Sequence, residues 1–502
     1  MKKSKTFLNV VSNLVLQVCT LLSGFLIPRL ILSFFGSEVN GLVSSLNQFL
    51  NYISIMEGGI TGVIMASLYK PLVNNDSDKI SNILYTSNKF YKKIAFIFLG
   101  YSAAIGVTYN IVFRPPFSFV YVFLLCLILA INLFILYGFT LSYKTLLLAS
   151  KNVYIVSLYQ SLIIIMGVVL AYISIYIYPS VHILKLFSFI PYILLPIIYR
   201  KKCKEKFNIS NVSVEDKSLV RNRWNGFAVN IAAFVHLSTD IVVLNFFESL
   251  SNISVYSVYS LVTVGLRGII NSIISAISPT VGHLLAKNDN EKLNSFFDKY
   301  ELCMFFVIFV VFSISFQLIT PFVILYTKGV NDISYNYPVF GYLLVVSEMI
   351  YLLKEPLINL AYSANMFKRI QKHSYIEALT NIFISIILVS KFGILGAIIG
   401  TLIAMTYRMI IHVDFMSKNV SFRSQFCFYK KFISFGMFFI VSNFLAIKFF
   451  HINSTILGWS VSAVALTIYF AIVYLICSFV FFKNDTVSIF SYIQERILKK
   501  RN

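Results

Sequence analysis

About fourteen stretches of this chain are continuously apolar over a window of roughly 19 residues, and no other feature constrains its fold as much. They run Phe7 to Ser33, Val39 to Ala66, Phe90 to Val112, Phe117 to Tyr143, Val153 to Tyr178, Val181 to Tyr199, Trp224 to Phe247, Ile253 to Ala286, Tyr300 to Val323, Tyr337 to Tyr362, Tyr375 to Ser390, Ile394 to Val413, Phe432 to Phe449 and Leu457 to Phe482. Segments of this length satisfy their backbone inside hydrocarbon only as helices. Composition agrees: only 12% of the residues are charged and mean hydropathy is +0.80, whereas a soluble domain carries about 25% charged residues. The expected fold class is an all-α polytopic membrane protein with about fourteen transmembrane helices.

A net charge of +22 would suggest nucleic acid in a soluble chain. Here the cations are sorted by membrane side. Lys2, Lys3 and Lys5 precede the first segment; Lys70, Lys79, Lys89, Lys92 and Lys93 follow the second. Arg200, Lys201, Lys202, Lys204, Lys206, Lys217, Arg221 and Arg223 follow the sixth, and Arg496, Lys499, Lys500 and Arg501 close the chain. The opposite side offers only Arg114, Lys328, Lys391 and Lys448. The bias predicts both termini in the cytoplasm and attraction to anionic headgroups, with no nucleic-acid partner. The first segment is too long for a signal peptide and carries Asn9, Asn13 and Gln17, so it reads as a retained helix. Cys19, Cys126, Cys203, Cys303, Cys427 and Cys477 lack metal-type spacing. No outer loop has room for a catalytic domain, and Arg200 to Arg223 reads as a linker.

Two similar halves flank that linker. "LSFFGSEVNGLVSSLNQFL" from Leu32 returns as "LNFFESLSNISVYSVYSLV" from Leu244, and "NDSDKISN" from Asn75 as "NDNEKLNS" from Asn288, at an offset of about 212. A spacing of six helices makes this a parallel repeat about an axis along the membrane normal. The expected organisation is a six-helix lobe over residues 1–199, a basic linker over 200–223, a second six-helix lobe over 224–416, and two further helices with a basic tail over 417–502. Two pseudo-twofold lobes around a central cavity suggest a transporter rather than an enzyme.

Polar stripes should mark the cavity wall. In the eighth segment Tyr256, Tyr259, Ser260, Thr263, Arg267, Asn271 and Ser278 share a face at about 100° per residue. The seventh carries Asn222, Asn225, Asn230, His236 and Asp240, the second Ser44, Asn47, Gln48, Asn51, Ser54, Gly58 and Gly62, and the first Asn9, Asn13, Gln17, Thr20 and Gly24. Each embedded charge has two readings. Arg267, deep in its helix, either meets an anionic substrate or holds a structural ion pair. Asp240 is a cavity acid or an interfacial one; His236 a proton relay or a packing histidine. Glu57 either couples transport to an ion or packs in the loosened "MEGGITG" turn. Arg29 points away from its polar stripe unless Pro28 kinks the helix, which sets snorkelling or an ion pair against substrate contact. Glu348 and Glu355 share a face, with Lys354 pointing elsewhere and Pro356 behind them; they pair with Arg267, with Arg29, or with close neighbours.

"PRLILSFFGSEVNGL" from Pro28, "MEGGI" from Met56 and "FGILGAIIGT" from Phe392 resemble the polysaccharide transporter family, the Wzx-type flippases of the multidrug/oligosaccharidyl-lipid/polysaccharide exporter superfamily. Helix count, duplication and orientation extend the resemblance over essentially the whole chain. A departure is the thin cationic lining: only Arg29, Lys185, Arg267, Lys354 and Arg408 lie inside helices, Arg408 near the cytoplasmic face. The resemblance implies a bacterial cytoplasmic-membrane protein that moves a polyprenyl-diphosphate-linked oligosaccharide outward by alternating access, with capsule, O-antigen-like polymer, teichoic-type chain and peptidoglycan precursor all open as the glycan. It implies membrane lipids, a polysaccharide polymerase and glycosyltransferases as partners, and no cofactor beyond a coupling proton or sodium ion. Arg267, Asn271, Asp240, His236, Asn230, Arg29 and Asn51 are the substrate-binding candidates and Glu57 and Glu348 the coupling candidates. The competing readings are a multidrug antiporter of the same fold and, in another class, a membrane enzyme of glycan assembly.

Overall fold

The computed structural model describes residues 2–54, 60–209, 239–286, 290–364, 366–420, 423–450, 452 and 455–498. These residues contain helices and connecting turns and no strand. The helices are α1 (Lys2–Asn51), α2 (Ile60–Asn74), α3 (Ser77–Phe113), α4 (Phe119–Ala149), α5 (Val153–Ile177), α6 (Val181–Lys206), α7 (residues 239–247) and α8 (Leu250–Ala286). There follow α9 (Asn290–Tyr326), α10 (Pro338–Leu353), α11 (Glu355–Ser363), α12 (Phe367–Phe392), α13 (Ile394–Asn419), α14 (Gln425–Phe449), α15 (Ile456–Phe481) and α16 (Lys483–Leu498). Eleven of the described helices are long and apolar enough to cross a membrane, and the protein is a multi-pass membrane protein.

The difference between eleven and fourteen has three local causes. The first two segments run into one helical stretch, α1, broken only at Gly36, whose φ of 80° and ψ of −178° are non-helical. The seventh segment is described only from residue 239. The tenth is divided into α10 and α11 at Lys354, because Pro356 has no N–H to continue the ladder. The break near Arg29 is therefore not at Pro28, which α1 carries within its helix, but at Gly36. α3 spans 37 residues, about 55 Å at 1.5 Å per residue, so Lys79, Lys89, Lys92 and Lys93 stand on a helix that projects past the apolar segment. Asp76 caps it, accepting from the Lys79 amide at 3.1 Å, and the Lys79 ammonium beside it holds the Asp76 carboxyl below its ordinary range. α16 is a helix beyond the fourteen: its mixed sequence, "KNDTVSIFSYIQERIL", carries no continuous apolar run.

The chain forms two compact units, Met1–Ser257 and Val258–Asn502. In the first, α5 packs along α1, α3 along α4, and α6 against both α4 and α5. The two copies of the repeated motif meet here. A Cβ on Gly41 would stand 1.8 Å from the Leu250 carbonyl oxygen, so only glycine permits this approach, and Asn40 Nδ2 donates to Ser254 Oγ at 2.8 Å. Tyr109 donates to Asn245 Oδ1 at 2.8 Å.

In the second unit α14 and α15 pack on α9 around stacked rings, with Phe435 and Tyr474 at 5.7 Å and Phe305 and Phe309 at 6.0 Å between centroids. Gln317 Nε2 bonds Asn443 Oδ1 at 2.9 Å and Ser313 meets the Tyr474 hydroxyl at 2.6 Å, so the polar atoms of this interface are paired. Arg423 and Lys431 pair with Asp298 and Glu301, fixing α14 to the start of α9; Lys431 Nζ lies 2.8 Å from Glu301. The "FGILGAIIGT" motif has a packing reason. Gly393 turns the chain at φ 57°, and a Cβ on Gly396 would stand 2.2 Å from the Leu388 carbonyl oxygen, so α12 and α13 form a close hairpin.

Candidate functional site

The interruption between α10 and α11 delivers several charges to one place inside the second unit. Lys354, at the break, is 2% exposed. Its Nζ lies 3.5 Å from Glu355 Oε1 and 3.9 Å above the centroid of the Tyr351 ring. The expectation that Lys354 points away from Glu355 is corrected here: it assumed one continuous helix, and the break lets successive residues converge. Tyr351 hydrogen-bonds Glu355, and its ring carries the Arg267 guanidinium at 5.4 Å.

From α8, Arg267 Nη2 reaches Glu348 Oε1 of α10 at 2.9 Å. Of the pairings open for Glu348, the one with Arg267 is formed. On the far side of Lys354, Glu377 of α12 pairs with Arg408 of α13, and Arg408 Nε donates to the His412 ring at 2.9 Å. Lys354 feels the charges of both Glu377 and Arg408. Five helices thus contribute to a ladder of ionisable groups. With carboxylates ionised and His412 neutral, Arg267, Lys354 and Arg408 balance Glu348, Glu355 and Glu377.

The two ends differ in access. The Arg267 and Glu348 side chains are 16% and 14% exposed, those of Arg408 and Glu377 7% and 6%. Arg267 Nε is buried with no hydrogen-bond partner among the described residues, leaving a donor beside the carboxylate pair. The chemistry of the open end is that of a guanidinium fork suited to phosphate or carboxylate oxygens, currently shared with one glutamate. The closed end is an anchor, since removing one member would leave a buried charge uncompensated.

Other candidates lie elsewhere. In the first unit Asp240 is buried and accepts from the Tyr256 hydroxyl at 2.7 Å, with Tyr52 bonded to neighbouring Thr239. Tyr256 thus serves the packing around Asp240. Tyr259 and Thr263 of the same stripe are also buried, Tyr259 donating to the Tyr335 carbonyl at 2.9 Å. Asn271 is half-buried, Arg29 is half-buried, and Asn51 is exposed at the end of α1. Glu57, Asn230 and His236 lie outside the described residues. The sequence reading passed over Tyr351, Glu377 and His412 and set Arg408 aside as close to the cytoplasmic face. Arg408 and His412, one turn apart, were the legible signal.

No family model matches the chain, and no curated protein matches it. Solved structures do. The lipid II flippase MurJ in an inward closed conformation superposes with a TM-score of 0.72 at 14% identity, covering 95% of this chain and 99% of that one. The MATE multidrug transporter DinF-BH, solved as a complex, gives 0.60 at 15% identity over 83% of this chain and 97% of that one. An inward-facing multidrug resistance MATE family transporter of the MOP superfamily gives 0.53 at 12% identity over 82% and 98%. The chain has the fold that these flippase and multidrug transporters share.

Proposed function

We propose that the protein is a flippase that carries a lipid-linked, diphosphate-bearing oligosaccharide from the cytoplasmic to the outer leaflet of the bacterial cytoplasmic membrane, for surface polysaccharide export of the Wzx type. The observation that carries this reading is Arg267, a guanidinium on an apolar helix that pairs with Glu348 while its buried Nε has no hydrogen-bond partner among the described residues. A diphosphate headgroup cannot cross hydrocarbon unaided, because its charges would lose their water. Arg267 replaces part of that water by charge-assisted hydrogen bonds. Glu348 then acts as the exchange partner: it holds Arg267 when the site is empty and takes it back on release. Protonation of Glu348 would favour loading by weakening the competing pair, which is where a coupling proton would act. Asn271, one turn from Arg267 on α8, remains a candidate for sugar hydroxyls.

The likeness to a lipid II flippase along 95% of the chain supports a lipid-linked substrate. On this reading the termini are cytoplasmic, residues 1–199 and 224–416 are the transporting lobes, 200–223 the linker, and 417–502 an appended pair. A polymerase and glycosyltransferases would supply and consume the carried unit. A second reading, export of organic cations, draws on the fold shared with multidrug transporters. Arg267 disfavours it, since a cation would meet a like charge.

Depletion in the native host, followed by mass spectrometry of extracted lipids, tests the proposal. A polyprenyl-diphosphate oligosaccharide should accumulate while surface polymer falls, with rescue by wild type and not by Arg267→Ala. No accumulation, together with altered sensitivity to cationic drugs, would favour the antiporter.

A further inference from the structure

A groove of about 770 Å³ opens on the first unit between α3, α4 and α6. Its lining is ordered by helical periodicity. α3 supplies Lys89 and Lys92, one turn apart, and α6 supplies Ile193, Ile197 and Arg200, each a turn beyond the last. Between them α4 contributes Phe139 from its Leu136–Thr140 π-turn, a widened turn of a kind often found at functional sites. Phe139, Ile193 and Ile197 are 44%, 50% and 62% exposed, so the floor is an open apolar surface. The three cations lie at the end of these helices where the basic residues gather, and no acidic side chain lines the groove.

We propose that this groove holds one anionic phospholipid of the cytoplasmic leaflet, its phosphate on Lys89, Lys92 and Arg200 and its first methylenes against Phe139, Ile193 and Ile197. Charge alone would draw any polyanion; a cationic rim set over an apolar floor selects an amphiphile whose phosphate sits at the membrane surface. The walls decide between a resident lipid and a carried one. α4 packs directly on both α3 and α6 within one compact unit, so a lobe motion that exposes a site alternately to two sides would not open this groove. A lipid bound there is retained. It fills the notch beside the π-turn.

Native mass spectrometry of the full-length protein, with phosphatidylglycerol or phosphatidylcholine of identical chains, tests the proposal. Wild type should retain one phosphatidylglycerol in preference to phosphatidylcholine. Lys89→Ala/Lys92→Ala/Arg200→Ala should weaken that adduct by about tenfold or more, at roughly one headgroup attraction lost per cation. Ile197→Trp, which fills the floor without touching charge, should weaken it too and decides the matter if the triple variant folds poorly. Lys201→Ala/Lys204→Ala, on the same helix outside the groove, should leave it unchanged. Equal retention of both lipids, equal loss in the outside pair, or an undiminished adduct in both groove variants overturns the proposal. Displacement of phosphatidylglycerol by an equimolar polyprenyl diphosphate would also overturn it and make the groove a substrate site.

Discussion

Arg267 and Arg408 are both guanidiniums paired with a glutamate, yet substitution should separate them. At the accessible end, Glu348→Gln keeps the side-chain shape and removes the competing charge. Diphosphate lipid should then bind more tightly to the purified protein while export of polymer falls, since release loses its exchange partner; weaker binding would show that Glu348 is not a competitor. At the closed end, Glu377→Ala leaves Arg408 buried without its counterion, a change costing about 3–5 kcal/mol. Thermal unfolding in detergent should drop sharply, and Glu377→Ala/Arg408→Met should recover most of the loss. The sequence made the open end legible, because Arg267 and Glu348 stand out in apolar runs. It hid the closed end, because Glu377 sits near a basic segment end, where a charge reads as solvated.

At the scale of elements, the repeated motif and its glycines make separable claims. Gly41→Ala forces a Cβ against the Leu250 carbonyl and should destabilise by about 1–3 kcal/mol, whereas Gly62→Ala, with nothing within 4 Å, should be neutral or slightly stabilising. Melting curves of the two variants compare them directly. Pro356→Ala restores an N–H and with it the chance of one continuous helix through Lys354. Transport should slow, and thermal stability should fall, as the buried Lys354 is drawn from Glu355. Hydropathy located the described membrane segments on helices, because such helices need little more than length and apolarity. It could not locate the breaks. Gly36 looks like Gly24 in sequence, and its positive φ follows from the turn it must make; likewise α16 is held by packing against α9 and α15, which hydropathy does not register.

At the scale of the whole molecule, fold and sequence are almost decoupled: 14% identity accompanies a TM-score of 0.72. Lipid-facing positions accept any large apolar residue, and cores tolerate repacking when volume is kept, so the fold outlasts recognisable motifs. Orientation is testable in intact cells. Asp332→Cys, in the loop between α9 and α10, should react with an impermeant maleimide, whereas Asn208→Cys, beyond α6, should react only after permeabilisation; the reverse would invert the topology. The charge-balanced ladder has an electrical consequence. With the carboxylates ionised and His412 neutral, the three cations and three anions described in the ladder balance, so conformational changes that shift it within a membrane field would do little work against a resting potential. A diphosphate bound as proposed would add negative charge, and each elementary charge crossing about 100 mV is worth about 2.3 kcal/mol. On the proposed function, with the cell interior negative, the field would drive the loaded step outward and leave the unloaded return nearly indifferent to voltage, which would rectify the cycle without a dedicated voltage sensor.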